Sequence, residues 1–160
     1  MEYAKRTHCV SWMILAMLPA SIGYAETESD PQDAISVTHP IEHRLDLCME
    51  EGDWTTRSMR ECTHAAYEEW QAEVEELKNR LSRALGSEAR EALDASQRAW
   101  EKSRDAEFRF ISAYHEEFRQ AELGQGTLIP VAEQLRRNAV LRDRVQQLQR
   151  YLDGLEDIRE

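Results

Sequence analysis

Beyond residue 40 the apolar residues recur at alternating intervals of three and four, and each run ends at a helix breaker. Ile41, Leu45 and Cys48 sit four and three apart, enough for a short helix. Met59, Cys62, Ala66, Trp70, Val74, Leu77, Leu81 and Ala84 form one helical face over many turns. Thr55 or Thr56 can cap that helix and Gly86 can stop it. Ser87 is the expected cap of the next, with Glu88 in its first turn. Its apolar face is predicted to hold Ala89, Ala92, Leu93, Ala99, Trp100, Phe110, Ile111 and Tyr114, the alanines allowing a close neighbour. It should end near Leu123, before Gly124-Gln125-Gly126. Pro130 suits the first turn of a last helix, whose seam is Leu135, Leu141, Val145, Leu148, Leu152 and Leu155, fraying at Gly154. No stretch alternates with period two for long. The expected fold is all-α: an antiparallel bundle of three main helices, a short N-terminal helix and one disulfide.

The first 40 residues read differently. Lys5 and Arg6 precede an uncharged run, Val10 to Leu18, and Gly23-Tyr24-Ala25 offers small residues three and one before a cut. That order is what export machinery and signal peptidase recognise, so 1–25 is read as a signal peptide of Sec type. The run is short of the roughly 20 residues that span a bilayer. No Cys follows the small residues, so a lipid has no attachment point. Residues 26–40 are polar and acidic, with Pro31 and Pro40, and read as a flexible leader. The 160 residues thus divide into signal, leader, one helical domain over 41–153 and a frayed tail over 154–160.

Charge and cysteines sharpen this picture. The formal net charge is −11, and loss of Glu2, Lys5 and Arg6 with the signal leaves about −12. Such a surface repels nucleic acid and anionic lipid and attracts cationic proteins. Cys9 departs with the signal. Cys48 and Cys62 remain, and two Cys in an exported chain point to one disulfide. A structural zinc would need two further ligands.

Little points to chemistry. The sequence has no Gly-rich phosphate loop, zinc-hydrolase histidine pair or nucleophile elbow, and it reads as a protein without catalytic residues, metal or cofactor. His64 and Glu68 lie one turn apart, a surface pair rather than a metal site. His115, Glu116 and Glu117 lack ligand spacing, and the acid pairs Glu73/Glu76 and Asp105/Glu107 read as solvated surface. The most distinctive run is Gln97 to Asp105, in which Gln97, Trp100 and Arg104 share a helical face. Trp100 can fill a gap in the core, Arg104 can stack on it or clamp a carboxylate, and Asp105 is free for a neighbouring helix end. This set reads as a device for locking helices together.

These runs together resemble the LprI-type lysozyme-inhibitor-like domain, a family of small exported bacterial proteins. In HPIEHRLDLC and TTRSMRECTHAAYEEW, Cys48, Thr56, Met59, Cys62, Ala66 and Trp70 occupy the family's positions. QRAWEKSRDAE, Gln97 to Glu107, carries the family's Gln, Trp and Arg-Asp signature. GQGT, Gly124 to Thr127, precedes a helix with Arg144 and Leu148. The resemblance spans roughly residues 39–152. Gln71 and Glu75 depart from it, standing where the family favours Asp and Asn. Phe108 replaces a further Cys and none follows Cys62, so a second disulfide is absent.

The resemblance implies an exported protein that binds and inhibits a lysozyme-like muramidase. The acidic charge fits, since many animal lysozymes are basic and opposite charge speeds association. The alternative is a cell-envelope interaction module with another cationic partner. The candidate contact loops are Gly86-Ser87 and Gly124-Gln125-Gly126-Thr127, because loops at bundle ends are accessible. The expected location is periplasmic or extracellular; the oligomeric state stays open.

Overall fold

The structure is a computed structural model that describes residues 38–121 and 126–158. The expected signal peptide and nearly all of the leader lie outside the described residues. Four helices follow in order: α1 (Pro40–Glu51), α2 (Thr56–Ala84), α3 (Ser87–Gln120) and α4 (Ile129–Asp157).

Cross-helix bonds give the directions. Arg44 of α1 meets Glu69 while Cys48 joins Cys62, so α1 runs antiparallel to α2. Lys78 of α2 pairs with Asp94 of α3 at 3.4 Å, and Arg144 of α4 bonds Gln97 of α3. Asn138 of α4 donates to the Thr63 carbonyl of α2 at 2.9 Å, and Arg80 lies 3.6 Å from Glu156. Successive helices therefore alternate, and α2 and α4 lie side by side in the same direction.

The core sits between those two parallel helices. Ala66, Trp70, Val74, Leu77 and Leu81 meet Leu141, Val145, Leu148 and Leu152, and Ile41 of α1 closes one edge. Leu77 and Leu148 have no exposed surface. Burying a Leu side chain fully is worth about 1.5–3 kcal/mol, so this seam dominates stability. His39 caps α1 by accepting from the Ile41 N–H at 3.3 Å, and its ring lies 4.5 Å from that of Trp70. One residue thus starts α1 and seats it on the core.

The helix ends differ in part from expectation. Thr55 is the α2 cap, its hydroxyl accepting from the Ser58 N–H at 3.2 Å. α2 stops at Ala84 without a left-handed glycine: Gly86 has φ −70° and is itself the cap position of α3, and Ser87 is the first helical residue. Arg90 satisfies the open end of α2 instead, donating to the Ser82 and Leu85 carbonyls at 2.9 and 3.0 Å. α3 closes at Gln120, three residues before Leu123. α4 continues through Gly154 to Asp157, because Leu155 packs against the core beyond the glycine.

The largest correction concerns α3. Ala89, Ala92, Ala99, Phe110 and Tyr114 are exposed. The side that meets the bundle follows Leu93, Gln97, Trp100, Arg104, Phe108, Ile111 and His115, and its buried residues are Gln97, Ile111 and His115. The apolar count misled because three of these seven residues, Gln97, Arg104 and His115, are polar. On α4 the same happens at Leu135, which is exposed, while Asn138 and Arg144 are buried.

Candidate partner-binding surface

The run from Gln97 to Asp105 builds the α3–α4 contact. Arg144 of α4 is only 4% exposed. It donates to Gln97 Oε1 through Nε at 3.3 Å and Nη2 at 2.9 Å, and to Gln147 Oε1 at 2.6 Å. Its guanidinium lies 5.4 Å from the Trp100 ring centroid, and that of Arg104 lies 5.2 Å from it. Arg104 and Arg137 in turn stand 5.9 and 5.6 Å from the Phe108 ring. Cations and rings alternate along the seam, Arg144, Trp100, Arg104, Phe108, Arg137. Each contact contributes about 0.5–1 kcal/mol or more where water is excluded.

Burial pulls Arg144 below its ordinary pKa, against Tyr151 and Glu101, which act to raise it. A guanidinium still keeps its proton, so Arg144 is a buried cation whose hydrogen-bond acceptors are amides rather than carboxylates. Asp105 does not serve a neighbouring helix: it accepts from Arg104 on its own helix at 2.8 and 3.0 Å. Trp70 belongs to the main core, 2% exposed, and stands apart from this ladder. Within the run, Gln97 and Trp100 contact α4 through Arg144, whereas Arg104 and Asp105 bond within α3.

Among the described residues no group of three His, Cys, Asp or Glu could hold a metal. His64 and Glu68 form an exposed pair at 3.7 Å. His115 is buried, its Nδ1 2.7 Å from the Ile111 carbonyl oxygen. Arg119 beside Glu116 holds that exposed carboxyl below its usual range, with help from Gln120. No described helix is long and apolar enough to cross a membrane.

Charge is distributed unevenly. Between residues 42 and 76 the chain sets eleven Asp or Glu against three Arg, whereas α4 carries five of each sign. The excess negative charge therefore lies on α1 and the first two-thirds of α2.

The two loops singled out from sequence lie at opposite ends. Gly86 and Ser87 are exposed between α2 and α3, close to Arg83 and Arg90. Gly126 and Thr127 are exposed just before α4, while Gly124 and Gln125 fall outside the described residues. α2 alone separates the ends by about 43 Å at 1.5 Å per residue, so one cleft cannot receive both. The Thr127 end also holds the α1–α2 turn. There a recess of about 680 Å³ opens between Thr56, Arg57, Arg60 and His64 of α2 and Pro130 and Gln134 of α4.

That turn is the feature the sequence reading passed over. Gly52 ends α1, and Asp53 and Trp54 follow with φ of 51° and 52°. Two consecutive left-handed residues other than glycine are uncommon and must be held in place. The Trp54 N–H donates to Met49 O and the Thr55 N–H to Gly52 O, at 3.0 and 3.2 Å, and Ser58 Oγ donates to Gly52 O at 2.9 Å. A Cβ on Gly52 would stand 2.2 Å from that of Ser58, so glycine is required there by close approach. The Cys48–Cys62 disulfide, Cα atoms 5.8 Å apart, closes the loop behind it. Trp54 itself is 53% exposed. The available signal was local: a tryptophan in EGDWTT, between a helix stop and a helix cap, has no apolar period to join.

A sequence model of the family described as "Lysozyme inhibitor LprI" matches residues 48–148. The match runs from the first disulfide cysteine to the central leucine of α4. No curated protein and no solved structure gives a match.

Proposed function

Because the chain belongs to the LprI lysozyme-inhibitor family, we propose that it is exported, acts in the periplasm or outside the cell, and binds and inhibits a basic lysozyme-like muramidase. The observation that carries this reading is the acidic surface on α1 and the first two-thirds of α2, in a family described as inhibiting lysozyme. Long-range attraction between that face and a basic enzyme raises the association rate and is screened by salt within about 8–10 Å. Inhibition then needs a rigid body over or beside the substrate cleft. A disulfide-tied bundle supplies one without ordering anything on binding. In this reading the protein has no catalytic role of its own.

Of the two sequence-derived loops, the connection containing Gly126 and Thr127 is the better candidate for contact. It shares its end with the acids Glu50, Glu51 and Asp53, while around Gly86 and Ser87 the acids Glu88 and Glu91 are balanced by Arg83 and Arg90.

The test is the lytic rate of purified c-type and g-type lysozymes with the mature protein added at low and at moderate salt. Inhibition that weakens with salt supports the reading. Unchanged lysis at micromolar folded protein overturns it. A pull-down that returns a single cationic envelope protein without muramidase activity would favour the interaction-module alternative.

A further inference from the structure

We propose that Trp54 is the anchor by which this protein docks on its partner, with the acids around it as the charged rim; the proposal rests on the partner being a basic muramidase.

Interface energy concentrates in a few aromatic or Arg residues that enter a pocket and are ringed by polar contacts excluding water. Trp54 meets the geometric requirement. It is a large apolar side chain half out in solvent at the tip of a connection, not within a helix face. The backbone beneath it is fixed by the three hydrogen bonds and the disulfide already described, so little conformational entropy is lost on docking. The left-handed conformation costs most at Trp54, since Asp tolerates it, and it fixes the direction in which the chain leaves α1.

Charge chooses the occupant. Glu50, Glu51 and Asp53 are the sequence neighbours of Trp54, all exposed, so the rim is negative and suits a cationic partner. The nearest cation, Arg57, is already paired with Glu61 at 2.9 Å. The rival surface is the α3–α4 recess of about 370 Å³, where Phe110 and Tyr114 are exposed. Arg136 lies over Tyr114, 5.1 Å from its centroid, and lines that recess together with Glu107, so the recess offers a basic enzyme no net charge. Both expose aromatic side chains, and the first alone has an excess of acids, with Glu50, Glu51, Asp53 and Glu61 against Arg57 and Arg60.

The experiment compares the wild-type protein, Trp54→Ala, Trp54→Phe and Phe110→Ala as inhibitors of c-type and g-type lysozymes. Trp54→Ala should raise the inhibition constant at least about thirty-fold, through faster dissociation, leaving the salt dependence of association unchanged. Trp54→Phe should recover most of the loss, and Phe110→Ala should match wild type. Urea midpoints and intact mass should show all four proteins folded with the disulfide closed. Hydrogen exchange on the wild-type complex, which needs no variant, should protect the amides of residues 52–56. A Trp54→Ala protein that inhibits as well as wild type, or protection confined to residues 110–118, overturns the anchor and leaves muramidase inhibition standing. A wild-type protein that inhibits neither lysozyme type overturns both.

Discussion

Arg144 and Gln97 show how much one pair of side chains decides. A charged group with 4% exposure is tolerated here because two glutamine oxygens accept hydrogen bonds from it and Trp100 covers it. Hydrogen bonds to charged groups are worth about 1.5–3 kcal/mol, and removing one partner of a buried charge costs more than removing both. Gln97→Ala should therefore lower the free energy of urea unfolding by about 2–3 kcal/mol. The double variant Gln97→Leu with Arg144→Met should recover much of that loss or exceed wild type. If the double variant is less stable than Gln97→Ala alone, the buried cation contributes net stability and this account of the pair fails. Trp54 is the opposite case, a residue whose removal should cost the fold little.

At the scale of elements, the helices are unequal partners. The α2–α4 seam has a continuous apolar lining, so Leu148→Ala should cost about 2–5 kcal/mol by the lost transfer energy plus the cavity left behind. Phe110→Ala, at an exposed position of α3, should fall within about 0.5 kcal/mol of wild type in the same denaturation experiment. α1 depends on its ties: Ile41 in the core, the Glu42–Arg142 pair at 2.9 Å, Arg44 to Glu69 and the disulfide. Ion pairs on this surface are worth about 0–1 kcal/mol each, whereas closing a loop of this length contributes roughly 3 kcal/mol on the chain-entropy estimate. Reduction should therefore lower stability by about that amount. Proteolysis of the reduced protein should cut first between α1 and α2. If α2 and α4 are cut first, α1 is not the element the disulfide retains.

For the whole molecule the governing quantity is where the charge lies. A uniform net charge would make every face equally attractive to a basic protein. Here the acids crowd α1 and the first two-thirds of α2, and α4 is balanced. Replacing Glu50, Glu51 and Glu61 together by Lys should slow association with a basic lysozyme about ten-fold or more at low salt and much less at high salt, with dissociation less affected. Stopped-flow mixing at two ionic strengths reads both. Equal association rates for the triple variant and wild type would show that steering comes from elsewhere.

Much of this architecture could be read from the chain alone, and the misplaced helix faces share one cause. Where the buried face of a helix is mostly apolar, as from Cys62 to Leu81 and from Leu141 to Leu152 apart from Thr63 and Arg144, the period of three and four located it directly. The disulfide followed from having two cysteines in a chain read as exported. The face of α3 was misplaced because Gln97, Arg104 and His115 point inward and Phe110 and Tyr114 outward, and hydropathy cannot tell a satisfied polar residue from a solvated one. Only the packed structure supplies Arg144 with its acceptors. Only it brings the Thr127 and Trp54 connections to one end and sends Gly86 to the other. Direction along a helix is local and lies in sequence; which polar groups are buried together depends on partners as far apart as positions 97 and 144, and these meet only when the chain has folded.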